Sequence, residues 1–444
     1  MIQNLTLKIL GLFIKNEEDR NRLSTVILPS FLIRSGYFVF AYLIMIVLTR
    51  TMGPGGYGVY SYTAAIIFTL MNFASYGFEI AAVRFTSSYL SKGEKGLWKG
   101  LYHWASRSLL IISTILTAGT ALYLWVSVYL LHFAPKTAYT LPLLVSCSII
   151  PIYTFINFYT NLLRGQHKLL LSFLTDNTIK PLFLLLALVI FRLVMGRMSL
   201  PVAIGLNIIS FFVAFIFVFM VFRRVNNMKE IKAEYDKRTW KKFVGSLFLL
   251  TCITSLSRLD IIMLGSLKDA GQVGIYYAAE RVANSLMFFM YVMNMIIQPS
   301  LARLNTPEDK EKLQKMITRT IRWVMLFSLP VFIGFILLSG QIMSLSGSQF
   351  LPGKITLIII CSGQIINIMF GPVVDFALMT GNEKYTTIYM SIGILINIAL
   401  NLLLTPGMGL NGTAIATTSS LIFWNVALFY TLKKKTGIRT WIFG

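Results

Sequence analysis

Runs of about twenty or more apolar residues recur along this chain, with little polar sequence between them. Each run is long enough to cross a hydrocarbon layer of about 30 Å as a helix. Twelve can be drawn: 24–49, 57–85, 102–132, 139–163, 168–191, 199–222, 243–266, 274–302, 317–340, 355–379, 385–405 and 410–432. Of the 444 residues, 56% are hydrophobic and 13% charged. A soluble protein of that length needs far more charge to keep its surface wetted. The longest polar stretch, around 223–242, is about 20 residues and too short to fold alone.

A net charge of +23 would suggest nucleic acid in a soluble protein. Here its distribution reports topology, because cytoplasmic connections carry an excess of Lys and Arg. With the N-terminus inside, the inside connections hold 28 of the 40 Lys and Arg, and the outside connections hold Arg50, Lys136, Arg192, Arg197, Lys268 and Lys354. A single miscounted span would scramble that alternation. Twelve crossings with both termini cytoplasmic are therefore expected. Residues 1–25 mix charges with a short apolar stripe (Leu5, Ile9, Leu12, Phe13) at helical spacing, which suits a segment lying on the membrane surface rather than a cleavable signal.

The chain also repeats itself. Gly58-Val59-Tyr60 follows the first run and Gly274-Ile275-Tyr276 the seventh; Gly165 follows the fourth and Gly381 the tenth, both at an offset of 216. Arg107 and Arg322 open the third and ninth runs at nearly the same offset. Six spans per half is an even number, so the two halves enter from the same side and form a parallel repeat. Such a pair suits alternating access through a cleft between lobes. The expected fold is an all-α polytopic membrane protein: twelve transmembrane helices in two pseudo-symmetric six-helix lobes with a central cavity. Its parts are an interfacial segment 1–23, an N-lobe 24–222, a basic linker 223–242, a C-lobe 243–432 and a cytoplasmic tail 433–444.

A charge at mid-bilayer costs about 2.5–3.5 kcal/mol on insertion scales, so each needs a partner or a wet cavity. The cations nearest the middle of their runs are Arg34, Lys180 and Arg258, and Asp176 stands four residues before Lys180, where a pair can form. Arg107 and Arg281 lie closer to the ends and complete the candidate substrate-binding set. The alternatives for these two are snorkelling to the interface for Arg107 and pairing with a neighbouring helix for Arg281. A cleft whose deepest charges are cationic attracts an anion such as a diphosphate, which the arginine fork suits. Glu79, Asp176, Asp260 and Glu280 are candidates for coupling to an ion, H+ or Na+; no other cofactor is expected.

Other classes find little support. Gly347 to Gly353-Lys354 has the wrong spacing for a phosphate-binding loop, and Ile355 stands where Ser or Thr belongs. Cys147, Cys252 and Cys361 lie inside apolar runs and read as small core residues, and His103, His132 and His167 are scattered, so no metal centre is expected. An integral glycosyltransferase or polymerase would display carboxylates on sizeable outside loops, whereas Asp269 is the one acid in an outside connection. No enzymatic activity is expected.

The stretch Leu48-Thr49-Arg50-Thr51-Met52-Gly53-Pro54-Gly55-Gly56-Tyr57-Gly58-Val59-Tyr60 resembles the LGPxxYGxY signature of bacterial and archaeal polysaccharide flippases of the O-antigen type. Leu163-Arg164-Gly165 and the stretch from Asn401 to Ala414 are similar to two further family stretches, although Thr405-Pro406-Gly407-Met408-Gly409 stands where an Ile-Pro pattern is commoner. The resemblance implies membership of the multidrug/oligosaccharidyl-lipid/polysaccharide exporter superfamily. It implies flipping of polyprenyl-(di)phosphate-linked oligosaccharides from the cytoplasmic to the outer leaflet of the cell membrane. Glycan polymerase or glycosyltransferases are then candidate partners besides membrane lipids, and nucleic acid is not. The alternative within the superfamily is a multidrug exporter of cationic compounds, which the three deep cations would repel. A peptidoglycan-precursor flippase would carry further spans.

Overall fold

The computed structural model describes residues 17–129, 138–226, 231–303 and 309–444. The apolar stripe expected to lie on the membrane surface, Leu5 to Phe13, is outside these residues. The described chain is helical, with no strand. In order the helices are Glu17–Ser75, Phe78–Ser91, Lys95–Tyr129, Thr140–Ser146, Ile149–Gly165, Leu169–Leu174, Lys180–Met195, Leu200–Val225, Lys237–Ser255, Leu259–Leu267, Ala270–Asn284, Phe288–Arg303, Lys310–Leu337, Ser339–Ser344, Lys354–Met369, Val373–Met379, Glu383–Met408 and Leu410–Thr436. Among the described residues nine helical stretches are long and apolar enough to cross a membrane, the first of them Ser35–Ser75 with 41 residues. That stretch runs through two expected spans, because the helix continues across a bend at Gly53, whose φ of 66° only glycine adopts readily. A second break follows at Tyr76 and Gly77, both with positive φ, before the chain resumes as Phe78–Ser91.

Large apolar side chains point outward along these helices; Leu193 is 78% and Leu403 74% exposed. Such surfaces are stable against lipid, not water. The protein is a multi-pass membrane protein. Hydroxyls within the spans bond back to carbonyls of their own helix: Thr51 to Val47, Thr154 to Ile150 and Ser255 to Thr251, at 2.6–2.7 Å. Each donor is thereby satisfied where no water reaches.

The chain forms two compact units. One comprises Gly36–Met52 and Val59–Ile262. Its core joins Ala74, Phe78, Leu101, Ile150, Leu162, Val218 and Trp240. Trp240 is fully buried, lies 5.4 Å from the Trp104 ring and donates its indole N–H to the Tyr89 hydroxyl at 2.8 Å. Phe243 packs edge-on against Phe85, and Phe248 stacks on Tyr76. These contacts group the seventh expected span with the first half, so the compact unit extends a whole helix past the 242/243 boundary. Part of the expected linker is also anchored. Glu234 donates its N–H to the Gly96 carbonyl, Lys99 reaches the Ile231 carbonyl, and a Cβ on Gly100 would run into the Glu234 carbonyl oxygen.

The other unit takes residues 17–35, Gly53–Gly58 and the described part of Met263–Gly444. Its core holds Ile297, Leu313, Ile317, Ile321, Phe370, Phe376, Leu428 and Leu432. The chain beyond Thr436 folds back onto it: Ile438 is buried and the Trp441 ring lies 4.6 Å from Phe370. Here the two copies of the Gly-x-Tyr motif meet. A Cβ on Gly58 would collide with the Ala270 carbonyl, and one on Gly274 would collide with the Pro54 carbonyl while lying 2.9 Å from the Gly58 nitrogen. Tyr57 fills the flank against Tyr277 and Phe350. The other glycine pair shares no such role. Gly165 is pressed against Thr86 and Val83 with its left-handed residue two positions on, at His167, whereas Gly381 is itself left-handed, with open space where its Cβ would be.

Asp269 caps the helix Ala270–Asn284, accepting from the Gln272 N–H at 3.1 Å and from the Gln272 side-chain amide at 3.0 Å. Partial burial pushes its carboxyl up, but the hydrogen bonds from Gln272 and neighbouring backbone together outweigh that and hold it below the usual range. The folded-state value being depressed, this contribution is present above the ordinary carboxylate range and disappears as pH falls through the folded value. Asp269→Ala should cost about 1 kcal/mol of thermal stability near neutral pH and nothing in strong acid, read by size-exclusion thermostability. Gly58→Val or Gly274→Val should cost more, about 1–3 kcal/mol from overpacking.

Candidate functional site

Most of the deep cations that are described rest on aromatic rings. Lys180 opens the helix Lys180–Met195 with Pro181 beside it, straight after a π turn, Thr175–Ile179, a local widening common at functional sites. Its Nζ sits 3.5 Å from the centre of the Phe211 ring. Arg258 ends the 3-10 turn Leu256–Arg258 between two helices and lies 5.7 Å over Phe68. Both are half-buried in the same unit. In the other unit Arg281 lies over Tyr277 at 5.1 Å and donates from Nη2 to its hydroxyl at 2.8 Å. That ring belongs to Arg281's own helix. The three cations thus use three different rings. A ring attracts a cation by about 0.5–2 kcal/mol without cancelling its formal charge.

Arg107 is exposed on the helix Lys95–Tyr129. Arg34 lies in the first helix and Asp176 in the π turn, but both side chains fall outside the described residues, so the expected Asp176–Lys180 pair does too.

The structure adds polar chains that the sequence reading passed over. In the first unit Asn157 donates to Glu79 at 3.0 Å, Asn161 to Asn157 at 2.8 Å, and Arg164 to Asn161 at 3.2 Å and to Ser172 at 2.8 Å. In the second unit Asn294 donates to Asp375 at 2.6 Å. These two carboxyl–amide links join the second to the fourth expected span of each half, with acid and amide exchanged, although the pairs Glu79/Asn294 and Asn157/Asp375 stand at offsets of 215 and 218 rather than 216. A longer chain runs from Asn425 to Asn367, Gln364, Asn284 and finally Glu280, each amide donating to the next at 2.8–3.4 Å. Glu280 is 9% exposed. The available signal was amides inside apolar runs at four-residue spacing, such as Asn157/Asn161 and Asn397/Asn401.

These features sit on a fold shared with solved transporters. The chain superposes with TM-score 0.75 at 13% identity on an inward-facing multidrug resistance MATE family transporter of the MOP superfamily, covering 90% of this chain and 94% of that one. It superposes with TM-score 0.64 at 15% identity on the lipid II flippase MurJ in an inward closed conformation, covering 90% and 87%. Within that fold class, the model of the polysaccharide biosynthesis protein family matches residues 29–305, and the chain belongs to that family. The MatE model matches residues 246–403. Two relatives from Haloferax volcanii are similar: one named "Probable low-salt glycan biosynthesis flippase Agl15", 26% identical over 168 residues, and one named "Probable flippase AglR", 26% identical over 183 residues. The similar regions span 37% and 40% of this chain, and 35% and 38% of those relatives.

Asn157→Leu removes the amide donor to the half-buried Glu79 carboxyl and breaks the hydrogen-bonded chain from Glu79 to Arg164. A cost of about 1–3 kcal/mol is expected, read by thermal unfolding in detergent, and Glu79→Gln, which keeps the shape and one acceptor, should cost less.

Proposed function

We propose that this protein is a flippase that carries a polyprenyl-(di)phosphate-linked oligosaccharide from the cytoplasmic to the outer leaflet by alternating access. The product feeds surface polysaccharide or glycan assembly. The reading places twelve spans in the cytoplasmic membrane, both termini in the cytoplasm, and two six-helix lobes about a central cavity. The single observation that carries it is the half-buried cations Lys180 and Arg258, each on a neutral ring within apolar spans. Family membership and the flippases among its relatives support the same reading.

In this mechanism Lys180 and Arg258, with Arg34, take the phosphate of the carrier, and Arg281, Arg107 and Asp176 complete the substrate site. A guanidinium offers a phosphate several fixed donors, and a low-dielectric setting strengthens each bond. The glycan crosses in water while the polyprenyl chain stays in lipid. No bond of the substrate changes, so no catalytic residue is required. Glu280, at the end of its chain of amides, is the carboxylate best placed to couple transport to H+ or Na+.

Purified protein in proteoliposomes with a fluorescent lipid-linked oligosaccharide tests the proposal. Lys180→Ala and Arg258→Ala should each slow flipping at least about tenfold, the loss of one charge-assisted phosphate contact. Phe68→Leu and Phe211→Leu should slow it about fivefold through the lost ring contact. Near wild-type rates in both cation variants would end the phosphate role. The second reading, export of cationic drugs, draws on the MatE match over 246–403, which contains Glu280. It predicts dye transport that Glu280→Gln abolishes, with no flipping of the labelled glycolipid.

A further inference from the structure

We infer that the cytoplasmic end of the helix Lys310–Leu337 is a binding site for the headgroup of an anionic phospholipid, built into the protein and separate from the transport site. This inference rests on the topology of the proposed function, which puts this helix end on the cytoplasmic side, and not on the identity of the cargo. Lys315, Arg319 and Arg322 recur at intervals of four and three, which places them on one stripe of the helix, with Lys315 also paired to Glu311 at 2.6 Å in an exposed bridge that a headgroup phosphate can compete for. With Thr318, Trp323 and Leu326 they line a cavity of ≈ 560 Å³. The opposite face of the same helix, Leu313, Ile317, Ile321 and Val324, is at most 2% exposed and locked into the core. The cationic stripe is therefore held rigidly at the interface.

The site also has a built floor, which long side chains merely reaching for water would lack. The chain beyond Thr436 is fastened beneath it. Gln314 and Arg439 exchange two hydrogen bonds at 2.7 and 2.9 Å, Arg322 Nε donates to the Ile442 carbonyl at 3.2 Å, and Thr318 donates to the Gly444 carbonyl at 3.2 Å. The bond to Ile442 fixes the plane of the Arg322 fork, the geometry in which a guanidinium recognises phosphate.

What lies above the cations identifies the ligand as a lipid. Trp323, half-buried beside these cations, is of the residue type enriched at the headgroup boundary. From Leu326 the same side of the helix becomes apolar and outward-facing, through Leu329, Ile333 and Leu337. A phosphate on the cations would leave acyl chains lying along that stripe. A free phosphate would use the cations alone.

The test uses the full chain in nanodiscs of phosphatidylcholine with graded phosphatidylglycerol, counting retained phosphatidylglycerol by native mass spectrometry. K315Q/R319Q/R322Q should weaken its binding about tenfold. K433Q/K434Q/K435Q, which removes equal charge from the end of the helix Leu410–Thr436, should change it less than about twofold. K315R/R319K/R322K should retain binding, which guards against a folding defect in the first variant. Brominated phosphatidylglycerol should quench the fluorescence that Trp323→Phe removes, and brominated phosphatidylcholine should not. Equal losses in both Gln triples would overturn the site in favour of general surface charge. Displacement by inorganic phosphate as effective as by phosphatidylglycerol would overturn the lipid assignment. A polyprenyl phosphate binding about tenfold more tightly than phosphatidylglycerol would assign the cavity to the carrier instead.

Discussion

Hydrocarbon offers no hydrogen bonds, and that constraint decides most of what is seen here. The backbone must close its own bonds as helix, and every polar side chain inside must find a partner within the protein. Apolar packing cannot distinguish a neighbouring helix from lipid tails, so specificity passes to close backbone approach and to polar links. Both devices are present. Gly58 and Gly274 allow two backbones to meet where any Cβ would collide, and Asn157 with Glu79, or Asn294 with Asp375, tie span to span.

The same constraint explains how the deep cations are kept. An aromatic ring attracts a buried Lys or Arg and leaves its formal charge intact. Lys180 on Phe211, Arg258 on Phe68 and Arg281 on Tyr277 all show the ring solution. The carboxylates are treated differently: Glu79, Asp375 and Glu280 each accept from an asparagine.

Much of this was legible in the sequence. Blocks of apolar residues specified a helical membrane protein, because length against bilayer thickness is a strong rule. The offset of 216 picked out Gly58 and Gly274, which do meet, but it could not say that Gly165 packs closely while Gly381 turns the chain. Small residues at breakers look alike in one dimension. The ring partners were also invisible, since Phe68 and Phe211 are ordinary apolar residues until the fold brings a cation over them. The polar chains escaped because Asn and Gln carry no charge and a reading focused on charge passes over them. The anchoring of residues 231–236 escaped because a basic, polar stretch reads as solvated linker, and its attachment relies on main-chain bonds that sequence does not show.

That attachment alters how one familiar pattern should be understood. Gly96 and Gly100 stand four apart at the start of a long apolar helix, the spacing that in membrane proteins usually marks a face for pairing with another helix. Here Glu234 already occupies that face, with its amide on the Gly96 carbonyl and its own carbonyl pressed against Gly100. A groove that would otherwise invite self-association is filled from within the same compact unit, by a stretch that sequence alone presents as a free connector.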